Sequence, residues 1–157
     1  MKNYLFLHRY KMFATLIFWF SFITLIITEL NEWRFEFLEI IVFSPANSSG
    51  FLSDIVPGPW EYNNIQDEIL IIIAVMSGIV MCFSKEKIED ELIKEIRKSS
   101  LIWALYVNYT LFIIVSVLIY GMPYIKVLVL NIFTPLIVFY IRFQWMKYRL
   151  KTASDEE

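Results

Sequence analysis

The sequence lacks most of the residues that catalytic and metal-binding motifs need. It contains one cysteine, Cys82, and one histidine, His8, in 157 residues. A single cysteine excludes an internal disulfide and CxxC chemistry. Cys82 also has no basic neighbour that would favour a thiolate. No nucleophile elbow, HExxH zinc motif, phosphate loop or Gly-rich nucleotide signature occurs. We therefore expect a protein that is not an enzyme and that binds no cofactor or metal.

A surplus of positive charge is also missing. Lys and Arg number 14 and Asp and Glu number 16, so the formal net charge is −2 at pH 7. Binding to phosphate backbones depends on a clustered positive surplus. We therefore expect no direct contact with nucleic acid.

Apolar residues are abundant and lie in long runs. The chain is 58% hydrophobic and 18% aromatic, whereas a soluble domain is about 45–50% apolar. Runs of this kind predict an all-α integral membrane protein, with residues 1–157 forming a single domain in contact with membrane lipids. A helix needs about 20 residues to cross a bilayer core. Four transmembrane helices are predicted, at about residues 12–28, 66–83, 100–120 and 124–143.

The first two runs each allow another interpretation. A basic lead before the run at 12–28 also fits a signal peptide. The length of that run, its Phe and Trp content and the lack of a small-residue cleavage site favour a retained span. The second run is strictly apolar only over 69–83, so a re-entrant segment is its alternative. The charges of the flanking loops favour a true, slightly short span.

Lys and Arg residues are unevenly distributed between the two predicted sides of the membrane. Twelve of the 14 lie at the two ends of the chain and in the segment 84–100, and only Arg34 and Lys126 lie on the other side. Cytoplasmic loops carry the excess of Lys and Arg in multi-pass proteins. Both termini are therefore predicted to be cytoplasmic.

The longest loop, residues 29–65, is acidic and also rich in aromatic and aliphatic residues. It is predicted to lie outside the cytoplasm. One interpretation is a cap for a substrate or partner. The other, which we favour, is that the first helix extends beyond the membrane or that a short amphipathic piece lies along the interface.

A charged segment, residues 85–99, runs into the third span with no intervening Gly or Pro. It predicts a cytoplasmic amphipathic helix that is continuous with that span. Ile88, Leu92 and Ile96 recur at a helical spacing and form a narrow apolar stripe. Because such a stripe packs on another surface, we expect it to face a partner.

The third and fourth spans each contain one asparagine and one arginine on the same helix face. Asn108 follows Arg97 by eleven residues, and Arg142 follows Asn131 by the same number. At 100° per residue, eleven steps return to nearly the same face. We expect Asn108 and Asn131 to hydrogen-bond across the two helices, and the simplest role of such a pair is packing. Pro135 predicts a kink, because it removes the hydrogen bond to the carbonyl of Asn131.

The two arginines predict a cytoplasmic charge cluster. An anion site for a lipid headgroup or a phosphate is one interpretation of Arg97 and Arg142. The other, which we favour, is neutralisation by Glu86 and Asp90, which share the helix face of Arg97 at spacings of eleven and seven residues.

One pattern of residues in the second half of the chain is shared with other sequences. It comprises residues 83–87, 89–91, 96–97, 100–101, 104, 107–109, 131, 133–134 and 142–143. In this pattern the chain resembles a group of small uncharacterised bacterial four-span membrane proteins. Members of that group are often encoded beside a short helix-turn-helix regulator. The resemblance implies a regulatory partnership at the bacterial plasma membrane and supplies no catalytic or ligand residue.

Two functions from different classes follow from these features. The first is a non-catalytic regulatory or interaction protein that presents its charged helix to a cytoplasmic protein or to its own copies. The alternative is a homo-oligomeric channel or small-solute transporter, lined by Asn108, Asn131 and Thr134. An enzyme acting on lipids is a minor third hypothesis.

Overall fold

The structure is a computed structural model that describes residues 5–31, 33–43, 60–87 and 89–155. These residues are mainly helical, which confirms the predicted class, but they also include a β-hairpin. A 3-10 turn, Glu36–Leu38, precedes the first strand. The elements in chain order are α1 (His8–Asn31), β1 (Glu39–Phe43), β2 (Trp60–Asn64), α2 (Gln66–Cys82), α3 (Glu91–Leu118), α4 (Met122–Asn131) and α5 (Thr134–Asp155).

The chain divides into two compact units. The larger unit comprises Met1–Leu16 and Val75–Glu157, and the smaller unit comprises Ile17–Ala74. Two helices, α1 and α2, therefore contribute residues to both units.

Two helices of the described residues, α1 and α3, are long and apolar enough to cross a membrane. A third crossing is added if Pro123–Asn131 and Thr134–Thr152 are counted as one broken span. The remaining helix, α2, has 17 residues, which is about 25 Å at 1.5 Å per residue. Because a bilayer core is about 30 Å thick, the structure supports two or three of the four predicted spans.

One face of α1 is buried along most of the helix. Its buried residues are separated alternately by three and four positions, which is the seven-residue repeat of packed helices. Two hydroxyls on this face bond to carbonyls of the preceding turn, Ser21 Oγ to Ile17 at 2.8 Å and Thr28 Oγ1 to Leu25 at 3.0 Å. These polar side chains therefore carry no unpaired hydroxyl. The buried face consists of Lys11, Ala14, Phe18, Ser21, Leu25 and Thr28.

The core of the larger unit lies between α3 and α5, which form the most extensive helix pair of the described residues. On the α5 side, Phe139 and Phe143 are almost fully buried. Their rings stack at 5.7 Å, and the ring of Phe83 stacks on Phe139 at 5.6 Å. Cys82 is buried beside them and donates a weak hydrogen bond to the carbonyl of Leu136 at 3.5 Å. On the α3 side, the buried residues are Ile96, Arg97, Ser100 and Ala104.

The charged helix predicted over residues 85–99 begins only at Glu91. Asp90 is the N-cap: its backbone is extended, and its carboxylate accepts a hydrogen bond from the backbone N–H of Ile93 at 2.7 Å. This bond satisfies one of the N–H groups that a helix start leaves free. The cap therefore separates the helix from Lys85, Glu86 and the residues that follow them.

The predicted kink before Pro135 is confirmed. The chain bends by 41° between α4 and α5. Pro135 has no N–H to bond to the carbonyl of Asn131, where α4 ends. The backbone tightens there through a bond from Phe133 N to Leu130 O at 3.1 Å. Helical bonding resumes with Ile137 N to Phe133 O at 3.0 Å.

The smaller unit contains an antiparallel hairpin that the sequence analysis did not predict. Its register runs from Glu39 opposite Asn64 to Phe43 opposite Trp60. The first strand is rich in β-branched residues, which favour extended backbone. The turn-forming residues between the strands lie outside the described residues. Since α1 continues to Asn31, the first helix also extends beyond its predicted end at residue 28.

Candidate functional site

The segment between α2 and α3 is bonded to the amino-terminal segment of the chain. Phe6 forms a parallel bridge with Ser84, through Phe6 N to Phe83 O at 3.0 Å and Lys85 N to Phe6 O at 2.8 Å. Nδ1 of His8 lies 2.9 Å from the carbonyl oxygen of Lys85. Because a carbonyl only accepts, Nδ1 of His8 carries the proton in this contact. These bonds position the backbone that carries Glu86 and Glu89.

Glu86 lies between two lysines from different helices. Lys11 of α1 bonds to one carboxylate oxygen, and Lys147 Nζ of α5 lies 2.9 Å from the other. The Glu86 side chain is only 10% exposed. One carboxylate therefore links α1, α5 and the segment between α2 and α3.

Glu89 forms a bidentate ion pair with Arg97. Nη1 of Arg97 lies 2.5 Å from Oε1, and Nη2 lies 3.2 Å from Oε2. Nη2 also donates to the carbonyl of Ser84 at 3.3 Å, and Glu89 Oε2 accepts from the backbone N–H of Glu86 at 3.0 Å. Paired donors of this geometry match a carboxylate closely. The pair attaches α3 to the same segment that Glu86 attaches to α1 and α5.

The ring of Phe143 lies at the centre of these charges. Three cationic groups lie near its centroid: Lys11 Nζ at 5.4 Å, Arg97 Cζ at 5.3 Å and Lys147 Nζ at 5.5 Å. Cations within about 6 Å of a ring centroid are attracted to its π face. We call the five charged residues around this ring the ion-pair cluster: Lys11, Glu86, Glu89, Arg97 and Lys147.

Both carboxylates of the ion-pair cluster titrate below their ordinary range. Burial acts to raise the pKa of Glu86, but hydrogen bonds from Lys11 and Lys147 outweigh it, so the pKa is lowered. Burial also acts to raise the pKa of Glu89, and the bonds from Arg97 and from the backbone of Glu86 outweigh it. Both groups are therefore held as carboxylates at neutral pH.

Arg142 makes its contacts elsewhere. Its guanidinium lies 4.6 Å from the Trp103 ring centroid, and Nη2 donates to Ser99 Oγ at 3.4 Å. Its Nε is buried without a hydrogen-bond partner. The predicted cluster of Arg97, Arg142, Glu86 and Asp90 therefore has only Arg97 and Glu86 in the ion-pair cluster. The helix-face argument failed because residues 85–90 precede the helix, so Glu86 turns to lysines and Asp90 becomes the cap.

The predicted hydrogen bond between Asn108 and Asn131 is absent from the described residues. Oδ1 of Asn108 is buried with no partner. Asn108 does continue the face of Arg97, Ser100 and Ala104. Asn131, however, is the last residue of α4, where the chain bends before α5. Because of this bend, the helix face that carries Asn131 does not continue along α5. In an unbroken fourth helix it would have continued to Arg142.

The predicted partner-facing stripe is not a continuous exposed surface. Leu92 is 48% exposed, but Ile96 is 6% exposed and belongs to the core. Ile88 lies outside the described residues. The exposed side of this part of α3 is instead charged, and consists of Glu91, Lys94, Glu95 and Lys98 together with Leu92.

Sequence analysis missed Lys11, Glu89, Lys147 and Phe143 as parts of one site. A signal was present, because the distribution of Lys and Arg had already assigned the amino end, the segment 84–100 and the carboxyl end to one side of the membrane. Because an unpaired buried charge is costly, opposite charges on one side of the membrane are expected to pair when they are buried. The identity of each partner, however, depends on how the helices pack.

The ion-pair cluster joins three helices and the segment between α2 and α3 through paired charges. Its carboxylates and cations occupy one another, and no group of three His, Cys, Asp or Glu side chains in the described parts of the chain is placed to hold a metal. Comparison with known proteins adds no assignment: no family model matches the sequence, and no curated protein or solved structure matches it either.

Proposed function

We propose that this chain is a non-catalytic, multi-pass protein of the bacterial plasma membrane that acts as a regulatory or interaction partner there. In this proposal α1, α2, α3 and the broken pair α4 and α5 are the four spans. Both termini and the ion-pair cluster lie on the cytoplasmic side, in agreement with the distribution of Lys and Arg. The second half of the chain resembles bacterial four-span proteins encoded beside regulators, and that resemblance supports a regulatory role.

The observation that carries the proposal is the open surface of α3. Only 6% of its most apolar stretch is buried within the chain. Aromatic and aliphatic side chains cover this surface, and an apolar surface of that size requires lipid or another protein against it. This surface of α3 is therefore suited to binding lipid or another protein. The exposed residues include Ile102, Trp103, Leu105, Tyr106, Tyr109, Ile113, Ile114, Val117 and Leu118.

A crossing by α2 is supported by its flanks. Asp67 and Glu68 lie in its first turn, and Lys85 follows its last turn. Seventeen residues are at the short end of the range of about 17–25 that spans a bilayer. Local thinning of the bilayer accommodates such a helix at modest cost.

The cytoplasmic end of α3 supplies the surface for a protein partner. Glu91, Lys94, Glu95 and Lys98 are exposed there, while Arg97 on the opposite face is held by Glu89. A rigid helix with alternating charge is suited to recognition by complementary charges. Because the ion-pair cluster fixes this end of α3 to α1 and α5, a partner on α3 is coupled to the membrane helices.

A homo-oligomeric channel or transporter is the second candidate, and one observation favours it. The buried Oδ1 of Asn108 has no partner among the residues that the structure describes, although buried polar atoms are nearly always bonded. A second copy of the chain would supply the missing donor. Asn131 and Thr134, both half-buried, would contribute the remaining polar lining.

Native mass spectrometry of the full chain, extracted from its own cells in mild detergent, separates these candidates. A monomer or dimer that carries a second soluble polypeptide is the expected result. A ring of identical subunits would favour the channel, and a monomer with lipid alone would contradict both.

Two matched sets of substitutions sharpen the distinction. Glu91→Lys with Glu95→Lys changes only exposed charges and is expected to release the soluble partner without changing the subunit count. Asn108→Leu with Asn131→Leu is the control set, and it is expected to leave the partner bound. The opposite pattern would favour the channel.

A further inference from the structure

Three aromatic rings form a ladder directly after α1. The ring centroids of Trp33 and Phe35 are 5.4 Å apart, and those of Phe35 and Phe37 are also 5.4 Å apart. Their residues are 59%, 39% and 77% exposed, respectively. Rings that contact one another and still leave this much surface open form an organised apolar surface, not three isolated exposed residues.

The ladder is bonded to the start of α2. Gln66, the first residue of α2, is buried; its Oε1 accepts from Phe35 N at 2.9 Å, and its Nε2 donates to Trp33 O at 3.2 Å. Asn64 Nδ2 donates to the carbonyl of Phe35 at 2.8 Å. At the end of α1, the carbonyl of Thr28 accepts from Trp33 N at 3.2 Å. The ladder is thus held at the level where one helix ends and the next begins.

The adjoining hairpin exposes apolar side chains on both faces. Ile40 and Ile41 are successive residues of β1, so they point to opposite faces, and both are exposed. Phe43 and Tyr62 are exposed as well. An isolated two-stranded hairpin is at best marginally stable in water, and this one leaves Ile40 and Ile41 exposed on opposite faces. The hairpin therefore requires an apolar environment.

The edges of the same hairpin require a polar environment. In the described parts of the chain, each strand of the two-stranded sheet has one edge with no strand beside it, and such an edge presents N–H and C=O groups outward. Such groups are not tolerated in the hydrocarbon core of a bilayer, where no water is available. The boundary between headgroups and acyl chains meets both requirements, because it offers apolar chains to the faces and water to the edges.

We propose that Trp33, Phe35, Phe37 and the hairpin of β1 and β2 form an interfacial anchor that lies in the headgroup region of the bilayer crossed by α1. The inference rests on the proposed function, because it takes the helix ends as the membrane surface. Aromatic rings are enriched at that depth. Exposed Glu39 and Glu68, and the solvent-accessible pair of Arg34 with Asp67 at 3.3 Å, form the water-facing rim.

Depth-dependent quenching of Trp fluorescence tests the anchor in the full-length chain. The other tryptophans, Trp19, Trp60, Trp103 and Trp145, are changed to Phe, and the Trp33-only protein is reconstituted in phosphatidylcholine vesicles. Nitroxide labels on the lipid, either near the headgroup or near the end of the acyl chain, report depth. We expect a greater loss of Trp33 emission with the shallow label than with the deep label, and protection from aqueous acrylamide.

A Trp19-only variant is the matched control, because Trp19 lies at the middle of α1. It is expected to lose more emission with the deep label. If this control is not quenched at depth, the proposed function fails. If the control behaves as expected, two results overturn the anchor alone: quenching of Trp33 by acrylamide and by neither nitroxide, which indicates water, or protection from all three, which indicates a protein cover.

Discussion

Arg97 and Glu89 form a two-point contact across the start of α3, with Nη1 to Oε1 at 2.5 Å and Nη2 to Oε2 at 3.2 Å. The helix begins between them, at Glu91, so the pair joins the helix to the segment that precedes it. Arg97 is buried, and its Nε has no hydrogen-bond partner within the described ranges. The guanidinium therefore depends strongly on the carboxylate.

Removing the carboxylate of Glu89 is expected to destabilise the protein. Glu89→Gln leaves the buried guanidinium of Arg97 without its counter-charge, and we expect a loss of about 2–4 kcal/mol. Thermal unfolding in detergent measures the loss. Glu91→Gln, at an exposed position in the first turn of α3, is the control and is expected to stay close to the parent. Equal melting of both variants would contradict a structural role for the pair.

Glu86 and Lys147 are expected to be energetically coupled. Their charged atoms are 2.9 Å apart, so Glu86→Gln and Lys147→Met should each weaken the same contact. A double-mutant cycle is expected to give a coupling energy of about 0.5–3 kcal/mol. Pairing Glu86→Gln with Lys98→Met provides the reference, because Lys98 is exposed. Strict additivity in the first cycle would show that the contact does not contribute to stability.

The ion-pair cluster is expected to make the stability of the protein depend on pH. Both Glu86 and Glu89 have a pKa below the ordinary value of 4.5. Their stabilisation is therefore fully present above the unfolded pKa and is lost as the pH falls through the lower folded pKa. Unfolding temperatures measured from about pH 7 to pH 3 should fall at the acidic end. The double variant Glu86→Gln with Glu89→Gln should show a shallower fall, and an identical profile would contradict the assignment.

Replacing Asn108 is expected to leave the isolated chain as stable or to stabilise it. Among the described residues its buried Oδ1 has no partner, so Asn108→Leu removes an unsatisfied group and should add about 1 kcal/mol. Reversible unfolding of the monomer measures the change. A loss of similar size would mean that the side chain has a partner within the chain, which would remove the observation that favours the channel.

The bend between α4 and α5 is expected to depend on Pro135. Pro135→Ala restores the N–H that can bond to the carbonyl of Asn131. Spin labels at Ile125 and Ile141, both exposed, should move apart by about 1–2 Å as the helix straightens. Pulsed electron–electron double resonance in a Cys82→Ser background measures the distance between the two labels. Pro123→Ala, at the start of α4, should leave it unchanged, and an unchanged distance in both variants would assign the bend to packing.

Much of the helical framework could be predicted because its causes are local. Uninterrupted apolar runs produced α1 and α3, and the missing N–H of Pro135 produced the bend after Asn131. The boundary at Asp90 was missed, although a side-chain cap is also a local feature. The spacing of residues 85–90 fits a helix, so the sequence predicted that the helix included them. In the structure the side chain of Asp90 instead bonds to the backbone of the first turn, so the helix begins after it.

Contacts between segments that are distant in the sequence could not be predicted in this way. The hairpin joins Phe43 to Trp60, and residues 44–59 between them give no signal that fixes which strand positions pair. Asn108 and Asn131 were each predicted to share a helix face with an arginine, but the fourth helix bends directly after Asn131. The error over the two asparagines came from extending a local periodicity across a break in the chain.

Composition and local pattern alone determined that this chain is helical, apolar in long runs and most basic at the ends assigned to the cytoplasm. Only the tertiary structure decided that Glu86 pairs with Lys11 and Lys147 while Glu89 pairs with Arg97. The physical reason is that a helix face is set by 3.6 residues per turn, whereas the partner of a buried charge is set by which segments pack around it.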